Sequence, residues 1–113
     1  MTIVLALADL PSSHMSTRFE GHRHGGVDLS FFVTDAPPGS AARLHTHPYA
    51  EVFIVLEGEA TFVAGDEELV VTGGQVVVVP PETPHRFENT GDGILRQVGI
   101  HDRGEMQTTW LED

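Results

Sequence analysis

A chain of 113 residues, 40% hydrophobic and 20% charged, has room for one domain with a single core and none for a second. It contains no Cys, which excludes disulfides, zinc–thiolate sites, iron–sulfur clusters and a thiol nucleophile, so any metal must be held by nitrogen and oxygen. Six Arg and no Lys stand against 17 Asp and Glu, and the net charge of -11 disfavours nucleic acid and anionic membranes as partners.

Residues 1–26 read as an N-terminal arm. Its apolar stretch Ile3–Leu7 is expected as a short edge strand, Pro11–Ser13 as a turn, and Gly21–Gly26, with His22 and His24, as a flexible loop. The uncharged apolar run Ile3–Ala8 falls far short of the roughly 20 residues of a membrane span, and no basic segment precedes it. The expectation is a soluble, cytoplasmic protein, with which the lack of Cys agrees.

Residues 27–113 form the expected domain. Runs of β-prone residues recur at Val27–Thr34, Arg43–His47, Glu51–Glu57, Glu59–Ala64, Leu69–Thr72, Gln75–Pro80, His85–Asn89 and Ile94–His101, separated by Gly, Pro and Asp turn signals. Short, evenly spaced strands predict an all-β, antiparallel sandwich or barrel. The one helical expectation is a last turn near Met106–Leu111.

His45 and His47, two apart on a β-run, project from one face. Pro48-Tyr49-Ala50 turns the chain so that Glu51 returns toward the same point, and a closed sheet would bring His85 into register with them. Three imidazoles and a carboxylate are a nitrogen/oxygen set for a divalent transition metal with one or two positions left open. His22 and His24 lack a returning carboxylate, and His14 and His101 have no evident partner; these four are read as ordinary side chains.

Gly39, His45, His47, Glu51 and Gly58, followed by Gly74, Pro80, His85 and Asn89, resemble the two spaced motifs of the cupin family at nine of ten positions. The departure is Glu82, where the second motif has a turn Gly. The resemblance covers Val27 to His101 and implies a single small antiparallel β-barrel of the double-stranded jelly-roll type, with a metal whose identity (Fe, Mn, Ni, Zn, Co or Cu) is left open.

If the strand is regular, Arg43 shares the inward face of His45 and His47. It is then either a fork for a substrate carboxylate or phosphate, or a salt-bridge partner of Glu51 or another acid. Alternation also turns Phe53, Val55 and Phe87 toward the cavity as apolar wall, and Tyr49 is a candidate proton donor at the rim. The scaffold hosts oxygenases, isomerases, lyases and sugar-binding modules alike. Two readings follow: a metal-dependent enzyme acting on a small organic acid or sugar-like substrate, with Arg43 and Tyr49 as catalytic candidates, and a non-catalytic metal-dependent binding or sensing module. The Ile3–Leu7 arm, added to a partner's sheet edge, suggests a homodimer.

Overall fold

Alternating β-branched and aromatic residues from Ser16 onward build two five-stranded antiparallel sheets in the computed structural model, which describes residues 2–13 and 15–112. The strands are β1 (Ser16–Glu20), β2 (Ser30–Ala36), β3 (His45–Thr46), β4 (Glu51–Glu57), β5 (Glu59–Ala64), β6 (Glu67–Thr72), β7 (Gln75–Val79), β8 (His85–Asn89), β9 (Leu95–His101) and β10 (Thr109–Trp110). One sheet has the order β1-β2-β9-β4-β7 and the other β10-β3-β8-β5-β6. The two face each other as an all-β jelly roll: the strand rhythm predicted the antiparallel all-β architecture, and the family resemblance implied the jelly-roll type.

Two expectations are corrected. Ile3–Leu7 forms no strand; it runs extended into a 3-10 turn at Leu7–Asp9, and the edge strand of the arm is β1 instead. Backbone propensity alone gives no strand without a partner edge, and β1 has one in β2. The expected last turn at Met106–Leu111 is replaced by β10, whose Thr109 and Trp110 pair with Thr46 and His45. His14 lies outside the described residues. No helix among the described residues is long and apolar enough to cross a membrane.

Inward residues of both sheets make the core: Phe53, Val55, Ala60, Phe62, Val71, Val77, Val79, Phe87 and Leu95. Phe62 is fully buried with its ring 4.9 Å from Phe53 and 5.8 Å from Phe87, centroid to centroid. The outer face of the first sheet carries two largely apolar rows beside a charged one of Asp35, Arg96 and Glu57. Phe19, Phe31, Ile100, Val52 and Val78 lie in one cross-strand row, and Thr17, Val33, Val98, Ile54 and Val76 in the next.

Two loop residues explain the spaced motifs. Gly58 turns β4 into β5 at φ 92°, where a Cβ would lie 2.5 Å from the Ile94 carbonyl oxygen, so only Gly fits. Asn89 is buried and closes the β8–β9 turn: its amide donates to the carbonyls of Ala36 (2.8 Å) and Gly93 (2.9 Å), and its oxygen accepts from the Gly91 N–H. Glu82, the residue that departs from the motif, keeps the turn in the left-handed region at φ 64°, with its N–H donating to the His47 carbonyl at 2.8 Å.

Left-handed backbone costs a non-glycine residue about 1–2 kcal/mol, of which Gly returns part through its floppier unfolded chain. Glu82→Gly is therefore expected to stabilise the protein by about 0.5–1 kcal/mol. The check is the denaturant midpoint at unchanged slope; a lower midpoint would mean that the Glu82 side chain itself supports the loop.

Candidate metal centre

Register across the strands assembles the site. His45 pairs with His85 between β3 and β8, and Glu51 pairs with His101 between β4 and β9 on the facing sheet. With His47 just beyond β3, one ligating atom from each of His45, His47, Glu51 and His85 lies within 4.8 Å of all the others. The four side chains expected to converge are thus brought together, and all four are buried.

The three imidazoles are held from behind. Nδ1 of His45 lies 2.6 Å from the Arg43 carbonyl oxygen, Nδ1 of His85 2.8 Å from that of Thr83, and Nδ1 of His47 2.7 Å from that of Gln107. A carbonyl only accepts, so each Nδ1 carries a proton, and a ring that has no second proton presents an Nε2 lone pair to the centre. Nε2 of His47 and of His85 both stand 3.1 Å from Oε1 of Glu51, and Nε2 of His47 has no hydrogen-bond partner. Lone pairs turned on a carboxylate repel it unless a cation or an added proton lies among them, so the donor set fits a divalent metal ion, with second-sphere carbonyls of the kind that orient ligating His.

Charge at the centre follows from burial and neighbours. Burial pushes His45 down to about 4, with His85 and His47 adding to the effect against the pull of the Arg43 carbonyl. Burial would raise the Glu51 carboxyl, but hydrogen bonding with His101, His47 and His85, which needs an added proton among the rings while no cation lies there, outweighs it and holds it well below the usual carboxylate range. Glu51 is thus an anion in a pocket of imidazoles.

A cavity of about 500 Å³ opens from the centre, walled by Met15, Phe32, Thr34, Phe53, Phe87 and Trp110. Phe53 and Phe87 line it as alternation predicted. Val55 does not; one inward position further along β4, it is fully buried in the core. Arg43 lines the mouth but is exposed, its guanidinium 4.4 Å from the Trp110 ring centroid, and it forms no ion pair with Glu51. The strand there is too short to carry Arg43 inward, since β3 begins only at His45. Tyr49 is buried, away from the cavity rim where it was expected; its ring stacks on His47 at 5.1 Å, and burial pushes its hydroxyl up to about 12.

Sequence reasoning missed His101. It is buried, with Nδ1 2.6 Å from the Tyr49 hydroxyl and Nε2 3.1 Å from Oε2 of Glu51. Alternation along Ile94–His101 carried the signal, because Leu95, Gln97, Gly99 and His101 all turn inward. Gly99 was missed too: a Cβ there would lie 2.7 Å from Oε2 of Glu51. His22 sits apart from the centre, its Nδ1 2.8 Å from the Gly104 carbonyl oxygen.

The profile of the cupin domain matches residues 31–101. The chain belongs to the cupin family. An uncharacterised protein of Methanocaldococcus jannaschii is 35% identical over 63% of this chain and 58% of its own length. Auxin-binding protein 1 of Arabidopsis thaliana is 24% identical over the whole chain and 65% of its own. Among solved structures, oxalate decarboxylase of Bacillus subtilis superposes with a TM-score of 0.81 at 20% identity, over 93% of this chain and 30% of that one. The likeness to the solved structure shows the fold, and the chain spans 58% and 65% of those two curated relatives and 30% of that enzyme.

In chelator-treated cupin the low folded value of His45 makes stability depend on pH. The unfolded ring titrates near 6.5 and the folded one near 4, so the folded state binds fewer protons in between; this stability is complete above about 6.5 and is lost as pH falls toward 4. Between pH 7 and 4.5 the loss is expected to be about 2 kcal/mol. Denaturant titrations check it: His45→Gln should flatten the profile in that window, and equal slopes would refute the assignment.

Proposed function

We propose that this cupin holds one divalent transition metal through His45, His47, Glu51 and His85 and acts on a small organic acid that enters by the cavity. The observation behind the reading is the set of three rings locked by their Nδ1 protons with Nε2 lone pairs gathered on one carboxylate. Bound there, Fe, Mn, Ni, Zn, Co or Cu would supply Lewis acidity or redox chemistry to a coordinated ligand. Arg43 has the planar fork that a carboxylate fits, and stacking on Trp110 holds it at the mouth while leaving its N–H edge uncommitted. Phe32, Phe53 and Phe87 exclude water from the rest of the ligand.

Similar structures support the class of substrate. They include an oxalate decarboxylase of Bacillus subtilis described with Mn(II) centres and one of Lactobacillus farciminis described as a formate complex, both named for small carboxylates. A second reading, a non-catalytic binding or sensing module, draws on Tyr49, whose buried hydroxyl takes the Gln107 N–H and meets His101 and so is withdrawn from the cavity.

His47→Ala and His85→Ala are each expected to abolish stoichiometric metal in elemental analysis, and retention at wild-type affinity would refute the centre. Arg43→Ala should keep the metal but weaken 2-oxo and 2-hydroxy acids by about 1.5–3 kcal/mol, or ten- to a hundredfold, relative to neutral analogues. Cobalt absorption during titration reads this out. Neutral sugars perturbing the spectrum while acids do not would replace the organic-acid reading, and binding without turnover would favour the module.

We also infer a homodimer, formed through the outer face of the β1-β2-β9-β4-β7 sheet. The two rows, apolar apart from Thr17, cross five strands, roughly 19 Å over four spacings of about 4.8 Å, and carry no charged side chain on a chain of net charge -11. On such an acidic chain a second copy meets least repulsion there. Light scattering should give twice the chain mass for the wild type and a monomer for the Val52→Asp, Val98→Asp double variant; a monomeric wild type would refute the dimer.

A further inference from the structure

We infer that Arg18 is a second anion-recognising residue of the cavity and that the ligand is a small dicarboxylate, with one carboxylate at the centre beside Arg43 and the other held by Arg18 on the opposite lip. This deepens the organic-acid reading above and rests on it.

Charge around the cavity runs against that of the chain. The sequence sets 17 Asp and Glu against six Arg, yet among the described residues Glu51 is the one acid that lines the cavity, while Arg18 and Arg43 both do. Glu51 faces the imidazoles, and a divalent ion bound there would more than neutralise it, so both guanidiniums are left to the ligand. A carboxylate at the ion answers Arg43; Arg18 needs a second anionic group.

Topology places the two arginines apart. The sheets are linked at one end through the Gly73-Gly74 turn between β6 and β7, and at the other end β1 and β10 are edge strands whose side chains both reach the cavity. Arg43 stands on the β10 side, two residues before His45 and stacked on Trp110. Arg18 belongs to β1, where the Ser16 hydroxyl meets that of the buried Thr34 at 2.8 Å, so alternation turns Arg18 inward with Ser16. Its cross-strand partner is Phe32, a residue of the wall. From β1 to β4, which carries Glu51, there are three strand spacings, about 14 Å. An acid bound at the centre therefore meets Arg18 only with its far end.

Arg18 is also held in place for this. Its backbone N–H donates to the Pro11 carbonyl at 2.8 Å, and its Nε lies 3.5 Å from Oε1 of Glu20, an oxygen that stands 3.7 Å from Nε of Arg23 as well. The other Glu20 oxygen accepts the Met106 N–H. One carboxylate shared by two guanidiniums leaves positive charge over, and because the contact is made through Nε, the terminal nitrogens of Arg18 have no acid partner among the described residues.

The test titrates the cobalt-loaded protein with 2-hydroxyglutarate and 2-hydroxyadipate, each against the monoacid of equal length, 2-hydroxyvalerate or 2-hydroxyhexanoate, in which a methyl replaces the far carboxylate. The wild type is expected to bind at least one diacid about tenfold more tightly than its monoacid, a preference that added salt reduces. Arg18→Gln should bring the diacids down to the level of the monoacids, Arg18→Lys should keep part of the preference, and Arg43→Ala should weaken monoacids and diacids alike. Equal affinities for diacid and monoacid in the wild type, or a preference that survives Arg18→Gln, overturn this inference alone. Loss of both kinds of acid in Arg18→Gln and Arg18→Lys would make Arg18 a structural residue and overturn it too, whereas a wild type that binds no acid overturns the organic-acid reading with it.

Discussion

Three hydrogen bonds from imidazole Nδ1 to backbone carbonyls decide what this molecule can do. The carbonyls of Arg43 and Thr83 belong to the segments that deliver His45 and His85, two residues earlier in each case, while that of Gln107 comes from a distant part of the chain. Each such bond is worth only about 1 kcal/mol net, but together they fix three ring planes and three tautomers. Without them the same residues would be buried bases free to rotate; with them they form a directed set of lone pairs around an anion.

The jelly roll makes this affordable by giving one strand three jobs. Successive inward residues of β4 pass from chemistry to wall to core: Glu51 at the centre, Phe53 against the cavity, Val55 in the fully packed interior. The Phe53 ring touches both worlds, 6.1 Å from His85 and 4.9 Å from Phe62. The close-packed core thus holds one end of the strand rigid, and the site inherits that rigidity.

Much of this was legible in the sequence. The His-x-His pair, the returning Glu51 and the late His85 depend on strand parity and turn length, which local pattern records. What was not legible depends on partners. Arg43 has the parity of His45, but parity means little outside a strand, and β3 is only two residues long. Within Met106–Leu111, Thr109 and Trp110 are strand because Thr46 and His45 offer them an edge, a fact of tertiary structure. His101 was inward by alternation, yet its importance appears only when β9 is placed in register with β4 and Glu51 comes opposite it. Glu82 shows the converse: the chain keeps the glycine conformation without the glycine, because its N–H is tied to the His47 carbonyl.

The anchor of His47 carries a further consequence. Gln107 lies in a segment stitched to the rest of the molecule at several points: the Met106 N–H donates to Glu20, the Gly104 carbonyl meets the His22 ring, and the Leu111 N–H donates to the Leu44 carbonyl. The docking of this carboxy-terminal strap and the filling of the centre are therefore coupled equilibria. By thermodynamic reciprocity, whatever occupies the centre raises the cost of peeling the strap away by the same free energy that a docked strap lends to the occupant. Affinity at the centre is thus not a property of four side chains alone, and an event at the molecule's tail is felt where the imidazoles meet.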